Sequence, residues 1–177
     1  MKIKKTKFKD LLIVEQKNNV DNRGSLRETF NDKILKKKFI FEYCTTSKKN
    51  VFRGFHFQVK NEQSKYVNVV KGKILDVVID LRKNSKTFGR IFSIILSKKN
   101  ALGLFIPAGF AHAYYSYDKE NVIYYKLDNY YTPKFESGII YNDATINFKW
   151  PNKKMIVSKK DKNLPSFLAF KKKIKYI

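Results

Sequence analysis

From Phe39 to Asp80 the chain reads as strand after strand. Short runs rich in β-branched and aromatic residues, such as "KYVNVVKGKILDVVIDL", are broken at "SKKN", at "VKNEQS" and at Lys71-Gly72. Such residues fit a pleated surface, and turn signals spaced about eight to twelve residues apart mark antiparallel strands. After the polar loop "LRKNSKTFG" the pattern resumes in "RIFSIILS", "LFIPAGFAHAYYS" and "NVIYYKLDNYY". No repeat of fixed period and no glycine-rich phosphate loop is present. The expectation is an all-β sandwich or barrel in one domain, residues 1–177, long enough to bury a core.

The flanks are less regular. Thr6 to Gln16 alternates loosely as one or two strands, Asn18 to Gly24 ends in the turn chemistry "DNRG", and Ser25 to Phe30 is again extended. "NDKILKKKF" predicts a short helix with Asn31 or Asp32 as its N-cap. Beyond Trp150 and Pro151 the pattern turns polar. Residues 151–177 read as a basic extension that packs on the barrel or stays partly disordered.

The net charge of +23 raises the question of nucleic acid. The cations are 33 Lys and only five Arg, scattered along the chain rather than gathered in an arm. Bidentate phosphate and base readers are usually Arg, so this pattern reads as a solvated surface that still attracts small anions. A lone cysteine, Cys44, excludes an internal disulfide, and two histidines exclude most structural zinc sites. No apolar run is long enough to span a bilayer, and "MKIKKTKFKD" lacks the apolar core of a signal peptide. The expectations are a cytosolic protein with no nucleic-acid or membrane partner.

Chemistry concentrates in "VFRGFHFQ". Strand alternation would place His56 beside Gly54 and Gln58, with Arg53 and Phe55 on the other face, and a glycine neighbour leaves room for a ligand. A histidine base needs a carboxylate to hold its tautomer, and Asp76, Asp80, Asp143 and Asp161 are all candidates. Lys65 shares a face with the apolar Val67 and Val69, so it would point inward, where an ammonium can meet an oxyanion. Each residue also has a plainer reading: His56 as a hydrogen-bonded core residue, Lys65 as one more solvated lysine, Tyr125 as aromatic core. His112 follows the Pro107–Gly109 turn. With His56 it is the whole imidazole supply, too few for the ligand set of a metal-binding cupin, so neither metal nor cofactor is expected.

Taken together the motifs "DNRGSLRETF", "RGFHFQ", "QSKYVNVVKGKILDVVIDLRKNSKTFGR", "LFIPAGFAHAYY", "YYKLDNYYTP", "YNDATINFKWP" and "SKKD" resemble, in this order, the dTDP-4-dehydrorhamnose 3,5-epimerase family. The resemblance runs from Asp21 to Asp161. It implies a cupin-like antiparallel jelly-roll barrel with a few short helices, metal-free and usually homodimeric, acting on nucleotide-diphosphate-linked 4-keto-6-deoxy sugars. By position it makes His56 the base, Asp161 its orienting carboxylate, Lys65 the enolate partner and Tyr125 the acid on the opposite face. His112 and Gln58 would line the substrate pocket and Arg53 would contact the diphosphate. Arg23 and Glu28 would meet the nucleotide, partly from the neighbouring subunit.

The chain departs from that pattern at Phe41 and Tyr43, where the family commonly carries glutamine and asparagine, and at Ala113, where a glycine is usual. These departures touch substrate recognition more than proton transfer. Two other functions share the fold. A 3,4-ketoisomerase would carry a second histidine at the place of Gln58, and a non-catalytic sugar-nucleotide binder would have lost the base, acid or lysine.

Overall fold

The computed structural model describes residues 1–174. Among them, thirteen strands form in chain order: β1 Lys2–Lys5, β2 Leu12–Glu15, β3 Lys17–Asp21, β4 Gly24–Glu28, β5 Phe41–Lys48, β6 Phe52–Gln58, β7 Lys65–Lys71, β8 Lys73–Asp80, β9 Ile91–Ser97, β10 Leu102–Ile106, β11 Phe110–Ser116, β12 Glu120–Leu127 and β13 Glu136–Gly138. Three short helices accompany them: α1 Asp32–Leu35, α2 Lys159–Lys162 and α3 Phe167–Ile174. No described helix is long and apolar enough to cross a membrane.

A six-stranded sheet, β1-β2-β10-β7-β12-β5, faces a five-stranded one, β13-β6-β11-β8-β9, as an antiparallel, cupin-like jelly roll. Strand alternation fills the space between them: Val67, Val69, Ile123 and Leu127 from one sheet meet Ile74, Val78 and Phe110 from the other. Tyr66, of opposite parity to Val67, packs on the outer face with Phe105 and Leu35.

The flanks depart from the sequence reading in informative ways. Thr6 to Leu11 is a loop rather than strand, closed by the Thr6 hydroxyl donating to the Leu11 carbonyl at 2.9 Å. The expected long turn shrinks to Asn22-Arg23 because β3 and β4 pair in register from Asp21↔Gly24 to Lys17↔Glu28. Asn31 does cap α1, its side chain accepting from the Lys33 N–H at 3.1 Å, and the helix stops at Lys36, whose φ is 52°.

Residues 139–170 cover the outer face of the five-stranded sheet. Ile139, Trp150 and Phe167 pack there against Phe52, Phe55, Val77 and Ile79. The Trp150 ring stands edge-on to Phe52 at 4.8 Å, and its N–H donates to the Tyr141 carbonyl at 2.8 Å. A parallel bridge, Val51↔Ile156, then lays the next segment alongside the start of β6. Most of the polar stretch after Trp150 is thus anchored, while residues 175–177 lie outside the described residues.

Candidate active site

A cavity of about 500 Å3 lies between the sheets, lined among others by Arg53, His56, His112, Lys65, Tyr125 and Asp161. Its first wall comes from β6 and β11, which pair His56 directly opposite His112. The same pairing corrects the expected alternation. Arg53 opposes Tyr114, so Gly54 and Phe55 together oppose Ala113 alone, a bulge that shifts the parity of the strand. Arg53 and His56 therefore both reach the cavity, while Phe55 turns into the outer core. Gly54 makes this possible: its φ is +133°, and a Cβ there would lie 2.3 Å from the Ala113 Cβ. The space beside His56 expected from a glycine neighbour is instead taken by Ala113, which lies in the core rather than the cavity.

Each histidine holds a carboxylate. His56 Nε2 lies 2.7 Å from Asp161 Oδ1, and His112 Nε2 lies 2.9 Å from Asp76 Oδ2. Asp161 is delivered by α2, whose N-cap Ser158 accepts from the Asp161 N–H at 3.0 Å. Burial pushes the Asp161 carboxyl up, but hydrogen bonds from His56 and from the Gly54 N–H outweigh it and hold the group below its ordinary value. An ionised Asp161 fixes the proton on Nε2 and leaves Nδ1 of His56 as the basic nitrogen.

The facing wall comes from β7, β12 and β5. Lys65 is 9% exposed, and burial lowers its ammonium to about 8 against the opposing pull of Glu136 and Asp76. Among the described residues it makes no hydrogen bond or ion pair, so its donors are available to the cavity. Tyr125 is buried, and loss of solvation raises its phenol well above the ordinary value, so it stays protonated. Tyr43, directly opposite it in the β5–β12 pairing, stacks on its ring. At the cavity's edge Arg53 Nε donates to the Ser47 hydroxyl at 3.1 Å, which in turn lies 2.8 Å from the Tyr114 hydroxyl.

Three expected substrate contacts do not line the cavity. The Gln58 amide is consumed by backbone: Nε2 donates to the Asn61 carbonyl at 2.6 Å and Oε1 accepts from the Thr132 N–H at 2.6 Å. Arg23 sits on the β3–β4 turn, 86% exposed and paired to Asp21 at 2.7 Å. Glu28 accepts from the Asn31 side chain at 2.7 Å. Of the other carboxylate candidates, Asp80 is bound by Arg82, Ser85 and Thr87, and Asp143 by backbone N–H groups. Asp76 serves His112 rather than His56, a pairing set by the β8–β11 register that no local pattern announces. The cap at Ser158 was not read from the sequence, although "SKKD" spaces a serine three residues ahead of an acid.

Comparison with known proteins points to one family. A family model described as dTDP-4-dehydrorhamnose 3,5-epimerase matches residues 5–169. The dTDP-4-dehydrorhamnose 3,5-epimerase of Methanothermobacter thermautotrophicus is 38% identical over 167 residues, covering 90% of this chain and 90% of that one. A crystal structure of the Bacillus anthracis dTDP-4-dehydrorhamnose 3,5-epimerase with TDP and PPi bound superposes with a TM-score of 0.90 at 35% identity, covering 94% of this chain and 99% of that one. The dTDP-6-deoxy-D-glucose-3,5-epimerase of Legionella pneumophila, in complex with dTDP-4-keto-L-rhamnose, gives 0.88 at 34% identity, covering 93% and 91%.

Proposed function

The chain belongs to the dTDP-4-dehydrorhamnose 3,5-epimerase family, and on that premise we propose how its own residues carry the reaction. The protein is a nucleotide-sugar epimerase, an isomerase that inverts carbons flanking the ketone of a dTDP-linked 4-keto-6-deoxy sugar. A C–H beside a ketone is a weak acid, so a base must take the proton while the charge spreads onto the carbonyl oxygen. His56, held by Asp161, takes the proton from one face. The electron pair moves onto the ketone oxygen, where the Lys65 ammonium stabilises the enolate. Tyr125 then gives its phenolic proton to the opposite face of the same carbon, and the carbon is inverted. Solvent returns a proton to Tyr125 and removes one from His56. His112, fixed by Asp76, lines the sugar end, and the unused N–H groups of Arg53 face the diphosphate.

One observation carries this reading: the base and the acid enter a single cavity from facing sheets. Inversion demands that arrangement, whereas a binding module does not. The test uses dTDP-4-keto-6-deoxyglucose in heavy water, with deuterium read at each carbon by NMR. His56→Ala should abolish exchange and inversion alike, since no enolate forms without the base. Tyr125→Phe should keep exchange at the carbon that needs the tyrosine while its product falls by about a hundredfold or more. Near-normal product from Tyr125→Phe would remove the phenol from the mechanism.

The β3–β4 hairpin exposes Val20 at 73% and Leu26 at 70%, next to Arg23. We assign this arm to a homodimer contact through which Arg23 and Glu28 serve the partner's nucleotide, in a single-domain, cytosolic enzyme. Sedimentation of the wild type and of Leu26→Glu tests it: a dimer that the variant splits, with raised KM, supports it, and a monomeric wild type with full activity refutes it.

A further inference from the structure

We propose that Tyr43 is a positioning residue for the acid, its ring holding the Tyr125 phenol in the orientation from which it protonates the enolate. The inference rests on the reading of Tyr125 above and goes beyond it. An acid that must reach one face of a planar enolate has to be held to within a few tenths of an ångström and about 10–20°. Hydrogen bonds do not hold this one, for the Tyr125 hydroxyl has no partner among the described residues. Its orientation is left to the rings around it.

Two rings matter. His112 meets Tyr125 edge-on at 6.0 Å and 66°. Tyr43 lies face to face with it at 4.7 Å and 20°, the one near-parallel stack among the described aromatic pairs. The contact is built into the strand register, because β5 and β12 place Tyr43 and Tyr125 directly opposite each other on the cavity face. Tyr43 is buttressed in turn by Phe41 at 5.7 Å, and Phe41 by Tyr130 at 6.0 Å, so a file of rings runs from the barrel edge to the acid. The Tyr43 hydroxyl makes no hydrogen bond among the described residues, and the residue is 36% exposed. The ring face, rather than the hydroxyl, is therefore the working part.

The test compares Tyr43→Phe, Tyr43→Leu and Tyr125→Phe with the wild type, reading deuterium exchange and epimerised product in one NMR experiment, with thermal unfolding as a check on folding. Tyr43→Leu fills space without a flat face. It should leave exchange within about twofold while lowering inversion at the tyrosine-dependent carbon by about tenfold, since even a 1 Å misplacement costs on the order of a hundredfold. Tyr43→Phe keeps the stack and should restore the wild-type ratio of inversion to exchange. The proposal is overturned if Tyr43→Leu leaves that ratio unchanged, if exchange and inversion fall together, or if only KM rises. Should Tyr125→Phe itself retain full inversion, the assignment of the acid fails, an outcome separate from any result at Tyr43.

Discussion

Lys65 offers a sharp test because the charge proposed to meet the enolate opposes the fold. A buried ammonium brought from an ordinary value of 10.5 to about 8 binds its proton more weakly when folded than when unfolded. A gap of roughly 2.5 units at about 1.4 kcal/mol per unit is about 3 kcal/mol of lost stability. Water entering the cavity reduces this, so the range is about 1–3 kcal/mol. In sign, the penalty is fully present below pH 8, fades as pH rises toward 10.5 and is absent above, because in that window the unfolded chain binds more protons than the folded one. Lys65→Met keeps the stem and removes the charge. At pH 7 it should unfold in urea about 1–3 kcal/mol later than wild type, while product formation falls by about a hundredfold or more for want of an enolate partner. The advantage should shrink as pH is raised to 10, and every other lysine cancels in the comparison. A Lys65→Met protein that is less stable at pH 7, or whose margin ignores pH, would show that the ammonium is not buried without compensation.

Gly54→Ala should destabilise by more than about 3 kcal/mol in urea unfolding, since its Cβ would strike Ala113 Cβ at 2.3 Å and Ala113 Cα at 2.5 Å in a backbone conformation closed to side chains. Adding Ala113→Gly should recover only part of this, as the Cα clash remains; full recovery would contradict the geometry. Asp161→Asn should keep the fold yet slow exchange by about a hundredfold or more, because an amide no longer selects the tautomer that leaves Nδ1 basic. Since the Asp161 carboxyl is held below its ordinary 3.8, the stability it provides should be intact at neutral pH and lost only as acid unfolding proceeds below about pH 4. Activity should survive prolonged chelation, and a loss restored by a divalent ion would make His56 and His112 ligands instead.

The barrel was readable from residues, whereas the roles proposed for the site residues came from the family resemblance. Alternation alone turned Lys65 inward with Val67 and Val69, and the short β runs announced the two sheets. Alternation failed at β6, where one glycine inserts an extra residue and carries Arg53 to the same side as His56. Nothing local encodes a bulge whose shape depends on Ala113 of a neighbouring strand. Gln58 shows the converse limit: its parity is right, but two loops claim its amide first. No local pattern says which aspartate serves which histidine, because Asp76 and Asp161 reach their partners through strand register and through a returning segment; the expectation of Asp161 beside His56 came from the resemblance alone. Tyr43 stood out in sequence as a departure, and its stack on Tyr125 needed the β5–β12 register to be seen.

The segment that lays Ile156 beside Val51 and carries Asp161 to His56 also sets when the enzyme comes into being. Base and carboxylate are separated by 105 positions, so no amount of early local folding can complete the pair. A chain emerging from the ribosome can assemble both sheets through β12 while its base remains without a fixed tautomer. Competence arrives late, with the closing of a loop of 105 positions. A truncation just before Asp161 would take the carboxylate from His56 while leaving Tyr141 and Trp150 in place over Phe52 and Phe55.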